Sequence, residues 1–342
     1  MIIPANEGFQ PFVNIFKKIL DRENVEYESV IWDRMTMEEN GIVFHRSSAP
    51  AQNNILKLLN YAGFARFAAK VSRTHKYDKL IIFGPQLALF MYPFLKKHYN
   101  KKFWMDYRDL SIEQKCMGLY KKVLDISEFI SISSPGFKKA LPDGYDYILS
   151  HNFDINEIQD VLQKTCERKK SSDIITISTI GSIRDFDANA EIIDSIKNNP
   201  GIKLRFIGKG IASESLHSYA KNVNAKNVEF KGYYDKSIEH TFYEETDFVN
   251  IYYPHLLSHD TALSNRFYKS LVFKKPMIVR SKSIQGDFVE KYHLGLSLDN
   301  CTDLQEKLTS FTVDDKFEIR CDTLLKEFTE DYDIFENKFI SN

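Results

Sequence analysis

Ser264–Val279 reads SNRFYKSLVFKKPMIV, and the class of fold follows from it. A loop turns into a short helix from Asn265, Lys274-Lys275-Pro276 breaks that helix, and Met277-Ile278-Val279 is wholly apolar. A strand apolar on every residue is buried on both faces, so it belongs to a parallel sheet with helices on each side. In such open sheets, ligands bind outside the carboxyl ends of the strands, where a helix N-terminus offers backbone N–H groups to an anion. The stretch therefore marks an α/β fold and a phosphate site.

The same alternation extends outward through the second half. Ile174–Ile180 reads as a strand ending in Gly181-Ser182-Ile183-Arg184, with a helix over Ala188–Lys197. Lys203–Ile207 is a strand ending in Gly208-Lys209-Gly210. Val228–Lys231, Phe248–Tyr252 and Gly295–Leu298 complete the set, and from about Asp303 the chain turns helical and acidic, with Phe328, Tyr332, Phe335 and Phe339 as anchors. Because GxG is frequent by chance and a third glycine is missing, the dinucleotide fingerprint fails. That argues against a dehydrogenase.

The first half obeys the same rule. Met1–Ile3, Tyr27–Trp32 and Gly41–His45 are apolar runs, the last a third strand or a hairpin arm. A long helix is expected from Pro50, with Arg46, Lys57, Arg66, Lys70 and Arg73 along it. Its basic face fits either an anionic membrane surface or plain solvation. Lys79–Gly84, Lys101–Asp109, Phe129–Ser133 and Tyr147–Ser150 follow as strands, with Ser134-Pro135-Gly136 as a turn. Asp106, Arg108 and Asp109 stand at a strand's carboxyl end, where a carboxylate can take a proton from a hydroxyl and an arginine can hold an anion. A mutual salt bridge without a catalytic role is the competing reading.

Composition bounds the rest. The chain has 342 residues, 43% hydrophobic, enough for two cores. Its net charge of −1 speaks against nucleic acid. Residues 1–154 carry 21 Lys/Arg against 17 Asp/Glu, and the remainder 25 against 30, so the basic half is the first. Cys116, Cys166, Cys301 and Cys321 show no metal spacing, which suggests reduced thiols and a cytosolic chain. Met1–Gln10 has neither a basic n-region nor an apolar h-region, so export is not expected.

By its motifs the chain resembles the GT-B glycosyltransferases, most closely the family-four type, whose nucleotide-sugar motif runs Pro-Asn-Lys, aromatic pair, Glu, small residues, Gly-Lys-Pro, apolar strand. Asn265, Arg266, Tyr268 and Pro276 match it, Lys269 stands at the glutamate, and Thr261 beside Asp260 stands at the partner glutamate. His151-Asn152-Phe153-Asp154 is similar to the junction that ends the first domain. The resemblance implies two Rossmann-like doubly wound domains facing a central cleft: an acceptor domain over 1–155, a nucleotide-sugar domain over 156–322 and a C-terminal helix over 323–342 crossing back. The boundary is expected between Asp154 and Asp173.

The resemblance further implies transfer of a sugar from a UDP- or GDP-linked donor to a lipid-linked or oligosaccharide acceptor, in capsule, exopolysaccharide or O-antigen synthesis. That work is metal-independent and cytoplasmic, with peripheral contact at the inner membrane surface and no cofactor beyond the co-substrate. Gly181, Arg184, Gly208, Lys209, Asp260, Asn265, Arg266 and Lys269 are then the donor-site candidates, and Asp106, Arg108 and Asp109 the catalytic ones. A sugar-nucleotide 2-epimerase of the same architecture and a non-catalytic partner of a transferase are the alternatives.

Overall fold

The computed structural model describes residues 1–47, 53–154, 160 and 174–341, which divide into two compact units. The first comprises Met1–Asp154 with Glu330–Asn342, the second Ile155–Thr329. The expected helix start at Pro50, the boundary segment and the polar stretch 163–173 lie outside the described residues.

The first unit is a seven-stranded sheet of β1 (Ile2–Ile3), β2 (Val30–Asp33), β3 (Ile42–His45), β4 (Leu80–Phe83), β5 (Phe103–Tyr107), β6 (Phe129–Ile132) and β7 (Tyr147–Leu149). Its order is β3-β2-β1-β4-β5-β6-β7, every pairing parallel. The third strand is therefore a parallel edge strand and no hairpin arm. Helices Val13–Arg22, Asn54–His75, Pro85–His98 and Met117–Ile126 make the crossovers. Gly84 starts the third of these at φ +88° with Pro85 in its first turn, where a missing N–H costs nothing. The expected turn at Ser134 is instead a short 3₁₀ helix, Pro135–Lys139, capped by the Ser134 hydroxyl.

The second unit has six strands: β8 (Ile175–Ile180), β9 (Ile202–Ile207), β10 (Val228–Gly232), β11 (Phe248–Ile251), β12 (Met277–Arg280) and β13 (Gly295–Leu298). The order β10-β9-β8-β11-β12-β13 is again wholly parallel. Both sheets start in the middle and wind outward twice, so each has a switch point, between β1 and β4 and between β8 and β11. The quoted stretch forms the helix Asn265–Val272 and β12 as read. Ser213–Asn222 and Ile284–Tyr292 are helices without a clear signature; Ser213–Asn222 buries only Leu216 and Ala220.

Apolar burial holds each unit together. Ile177, Leu204, Phe206, Ile192 and Ile193 centre the second core, all at 0% exposure. In the first, Phe16 meets Phe335 at 5.3 Å and Phe339 at 5.4 Å edge to face, and Trp104 meets the same two rings at 5.5 and 5.0 Å. These last two phenylalanines belong to the helix Phe317–Ile340, whose residues from Glu330 onward are part of the first unit. Among the described residues no helix is long and apolar enough to cross a membrane.

Candidate functional site

Beside the switch point of the second sheet, the loops after the adjacent strands β8 and β9 lock together through their backbones. Gly181 N–H donates to Ile207 O at 2.8 Å, Ile183 N–H to Lys209 O at 3.3 Å and Ala212 N–H to Ile183 O at 3.2 Å. The contact is so close that a Cβ on Gly208, at φ +128°, would stand 2.0 Å from Gly181 O. A Cβ on Gly210 would stand 2.0 Å from Ile183 O. These two glycines therefore serve loop-to-loop packing. Gly210 offers no N–H to a ligand, because its N–H is taken by Ser213 Oγ at 2.8 Å.

The locked loops carry two exposed cations. Arg184 is exposed, its Nε donating to Ser182 Oγ at 3.0 Å, and Lys209 is exposed at the tip of the second loop. The helix Phe186–Ile196 begins just beyond Arg184, so its first-turn N–H groups lie on the same edge.

Arg266 is placed differently. It is 9% exposed and points into the protein: Nε donates to Ile180 O at 2.6 Å, Nη2 to Ser182 O at 2.6 Å and Nη1 to Tyr253 Oη at 3.2 Å. The guanidinium fixes both ends of the loop after β8, and three of its five N–H donors are spent there. Its neighbour Asn265 is exposed at the first position of the helix. The helix start is itself capped, since Ser264 Oγ accepts from Phe267 N–H at 3.3 Å.

Lys269 lies one turn further on and pairs with Glu239. Glu239 also accepts from Tyr234 Oη at 2.6 Å. Burial first, and then this hydrogen bond, push the Tyr234 phenol well above its ordinary value, so it remains a donor. Neither Glu239 nor Tyr234 was among the candidates: Tyr234 follows a strand-ending glycine, while Glu239 sits in an unremarkable polar run. Asp260 bonds His255 Nδ1 at 3.0 Å on the short helix Leu257–Thr261.

In the first unit, Asp106 and Arg108 are interior. Asp106 is 0% exposed and takes Arg108 in bidentate fashion, Nε to Oδ2 at 2.6 Å and Nη2 to Oδ1 at 3.0 Å. Ser131 Oγ donates to Oδ1 at 2.5 Å and is itself bonded by Trp104 Nε1 at 2.7 Å. The guanidinium continues to Ser150 O at 2.6 Å, Ser150 Oγ at 2.9 Å and Asn152 Oδ1 at 3.2 Å, with Phe12 beneath it at 4.6 Å. This network ties β5 to β6 and to the segment after β7. Asp109, one residue on, is exposed.

A second buried carboxylate, Asp33 at the end of β2, organises the loop that follows. It accepts from Asn6 Nδ2 at 2.7 Å, from the N–H groups of Met35, Met37 and Glu38, and from His45 Nδ1 at 3.0 Å. Burial alone would raise its pKa; Asn6, Met37, Glu38 and His45 together hold it below the usual carboxylate range.

No family model matches the chain, and no curated protein sequence does. Solved structures match it over nearly its whole length. A glycosyltransferase from Rickettsia africae is 13% identical with a TM-score of 0.66, covering 99% of this chain and 96% of that one. HepE from Anabaena, in complex with UDP and glucose, is 12% identical with a TM-score of 0.63 over 99% and 98%. Sucrose-phosphate synthase from Thermosynechococcus elongatus is 11% identical with a TM-score of 0.71 over 100% and 99%. At such identities the likeness is one of architecture, and two wound parallel sheets with flanking helices give this chain the GT-B fold of those glycosyltransferases.

Proposed function

We propose that the protein is a glycosyltransferase that moves a hexose from a nucleotide-sugar donor, UDP- or GDP-linked, to a hydroxyl of a glycan. One observation carries this reading: Arg184 and Lys209 project as exposed cations from the two interlocked loops after β8 and β9, beside the switch point of the second sheet. A diphosphate carries two to three negative charges, and paired cations beside a helix N-terminus are what its leaving group needs. HepE, which shares the fold, has been solved in complex with UDP-glucose.

On this reading the second unit holds the donor and the first the acceptor. Charge on the departing diphosphate is balanced by Arg184, Lys209 and helix N–H groups, without a metal ion. Arg266 shapes the loop from behind, and Asp106 and Arg108 do the same for the first unit. Asp109 is then the carboxylate placed to meet the acceptor. A lipid-linked glycan of cell-surface polysaccharide synthesis, handled at the cytoplasmic face of the membrane, is the acceptor we favour. Support comes from the helix Asn54–His75, where Ile55, Leu56 and Leu59 are exposed at one end and Arg66, Lys70 and Arg73 along its length.

Thermal unfolding in the presence of UDP-, GDP- and CMP-sugars tests the proposal. At a hundredfold excess over Kd a true donor stabilises the fold by about 2.7 kcal/mol, a rise of several degrees. A melting curve unmoved by every nucleotide sugar would overturn it.

A further inference from the structure

Beside the loop after β8 the structure assembles an acceptor that no motif announces. Glu239 opens the helix Glu239–Glu244, and its side chain is 15% exposed. Oε2 accepts from Tyr234 Oη at 2.6 Å and Oε1 accepts from Lys269 Nζ. A carboxylate offers about four lone-pair positions, so each oxygen keeps one in hand. The Tyr234 hydroxyl stands 4.0 Å from where a Cβ on Gly181 would be, which sets the cluster against that loop.

Charge decides what such a group is good for. A bare carboxylate next to a diphosphate would repel it, but Lys269 cancels the charge while leaving the oxygens as acceptors. Lys269 can only donate, and Tyr234 already spends its proton on Glu239, so both orient the carboxylate. A ligand with two adjacent hydroxyls matches what remains: one open lone pair on each of two oxygens, held rigid from behind.

We infer that Glu239 binds the ribose 2′- and 3′-hydroxyls of the donor nucleotide, with Lys269 and Tyr234 as positioning residues. The inference rests on the nucleotide-sugar reading above and adds an ion pair between two helices as the diol clamp.

Calorimetric titration of UDP and GDP, each against its 2′-deoxy analogue, separates the two. The wild type is expected to bind at least one ribonucleotide about tenfold tighter than its deoxy form, the size of one hydrogen bond to a charged group. Glu239→Gln should lose that preference, weakening the ribonucleotide about tenfold and leaving the deoxy analogue unchanged. Lys269→Met should weaken the ribonucleotide too, because it frees the carboxylate to rotate. Equal wild-type affinity for the ribo and deoxy forms, or a preference retained in Glu239→Gln, would overturn the clamp while leaving a nucleotide site. Absence of binding by all four would overturn the nucleotide reading and the clamp with it. The wild-type comparison stands even where a variant fails to fold.

Discussion

The two sheets place arginines near the same kind of position and use them in opposite ways. Arg108, just past the end of β5, is 5% exposed and fully engaged by Asp106, Ser150 and Asn152. Arg184, just past the end of β8, is exposed, and its Nε donates to the neighbouring Ser182 hydroxyl. A carboxylate two residues upstream makes the difference: Asp106 turns inward from its strand and draws the guanidinium down, whereas the strand before Arg184 ends in apolar and small residues. Buried in low dielectric beside a carboxylate, an arginine becomes scaffold; left in solvent beside a helix N-terminus, it keeps its donors open to an anion.

The most severe way to probe this contrast is to remove the buried partner. Arg108→Ala strands the Asp106 carboxylate in the interior, and such a break costs about 3–5 kcal/mol. Denaturant unfolding of that variant should show the loss, while nucleotide binding measured well below the midpoint stays at the wild-type level. A smaller structural effect is expected from Gly208→Ala, whose methyl would meet the Gly181 carbonyl at positive φ. It should lose about 1–3 kcal/mol and nucleotide affinity together, since the loops cannot keep their register. Least costly to the fold is Arg184→Ala with Lys209→Ala. Two exposed side chains change stability by about 0.5 kcal/mol or less, yet nucleotide affinity should fall at least about tenfold, more steeply at low salt. If the double variant lost stability and kept its affinity, the contrast between scaffold and site would be reversed.

Several of these assignments were readable in advance and others were not. Lys209 directly follows Gly208 and Arg184 stands three residues after Gly181, each past the end of a strand, so their place at a sheet edge follows from local pattern alone. Arg266 looked equivalent within SNRFYKSLVFKKPMIV, but its direction depends on Ile180 and Ser182, more than eighty residues away. Glu239 was invisible for a related reason: its counter-charge Lys269 reaches it from a separate helix thirty residues on, and a single glutamate in a polar run has no periodicity to report.

Sequence by itself determined the class of architecture, because apolar runs alternating with amphipathic ones admit little besides a parallel wound sheet. It also determined that the strand ends in both halves carry charge. Only the tertiary structure decided which of those charges are buried partners and which face solvent. Burial of a charge is settled by whether a counter-charge arrives from elsewhere in the chain, and that depends on strand order, which brings β6 and the end of β7 to Arg108 but sets Arg184 on an open edge.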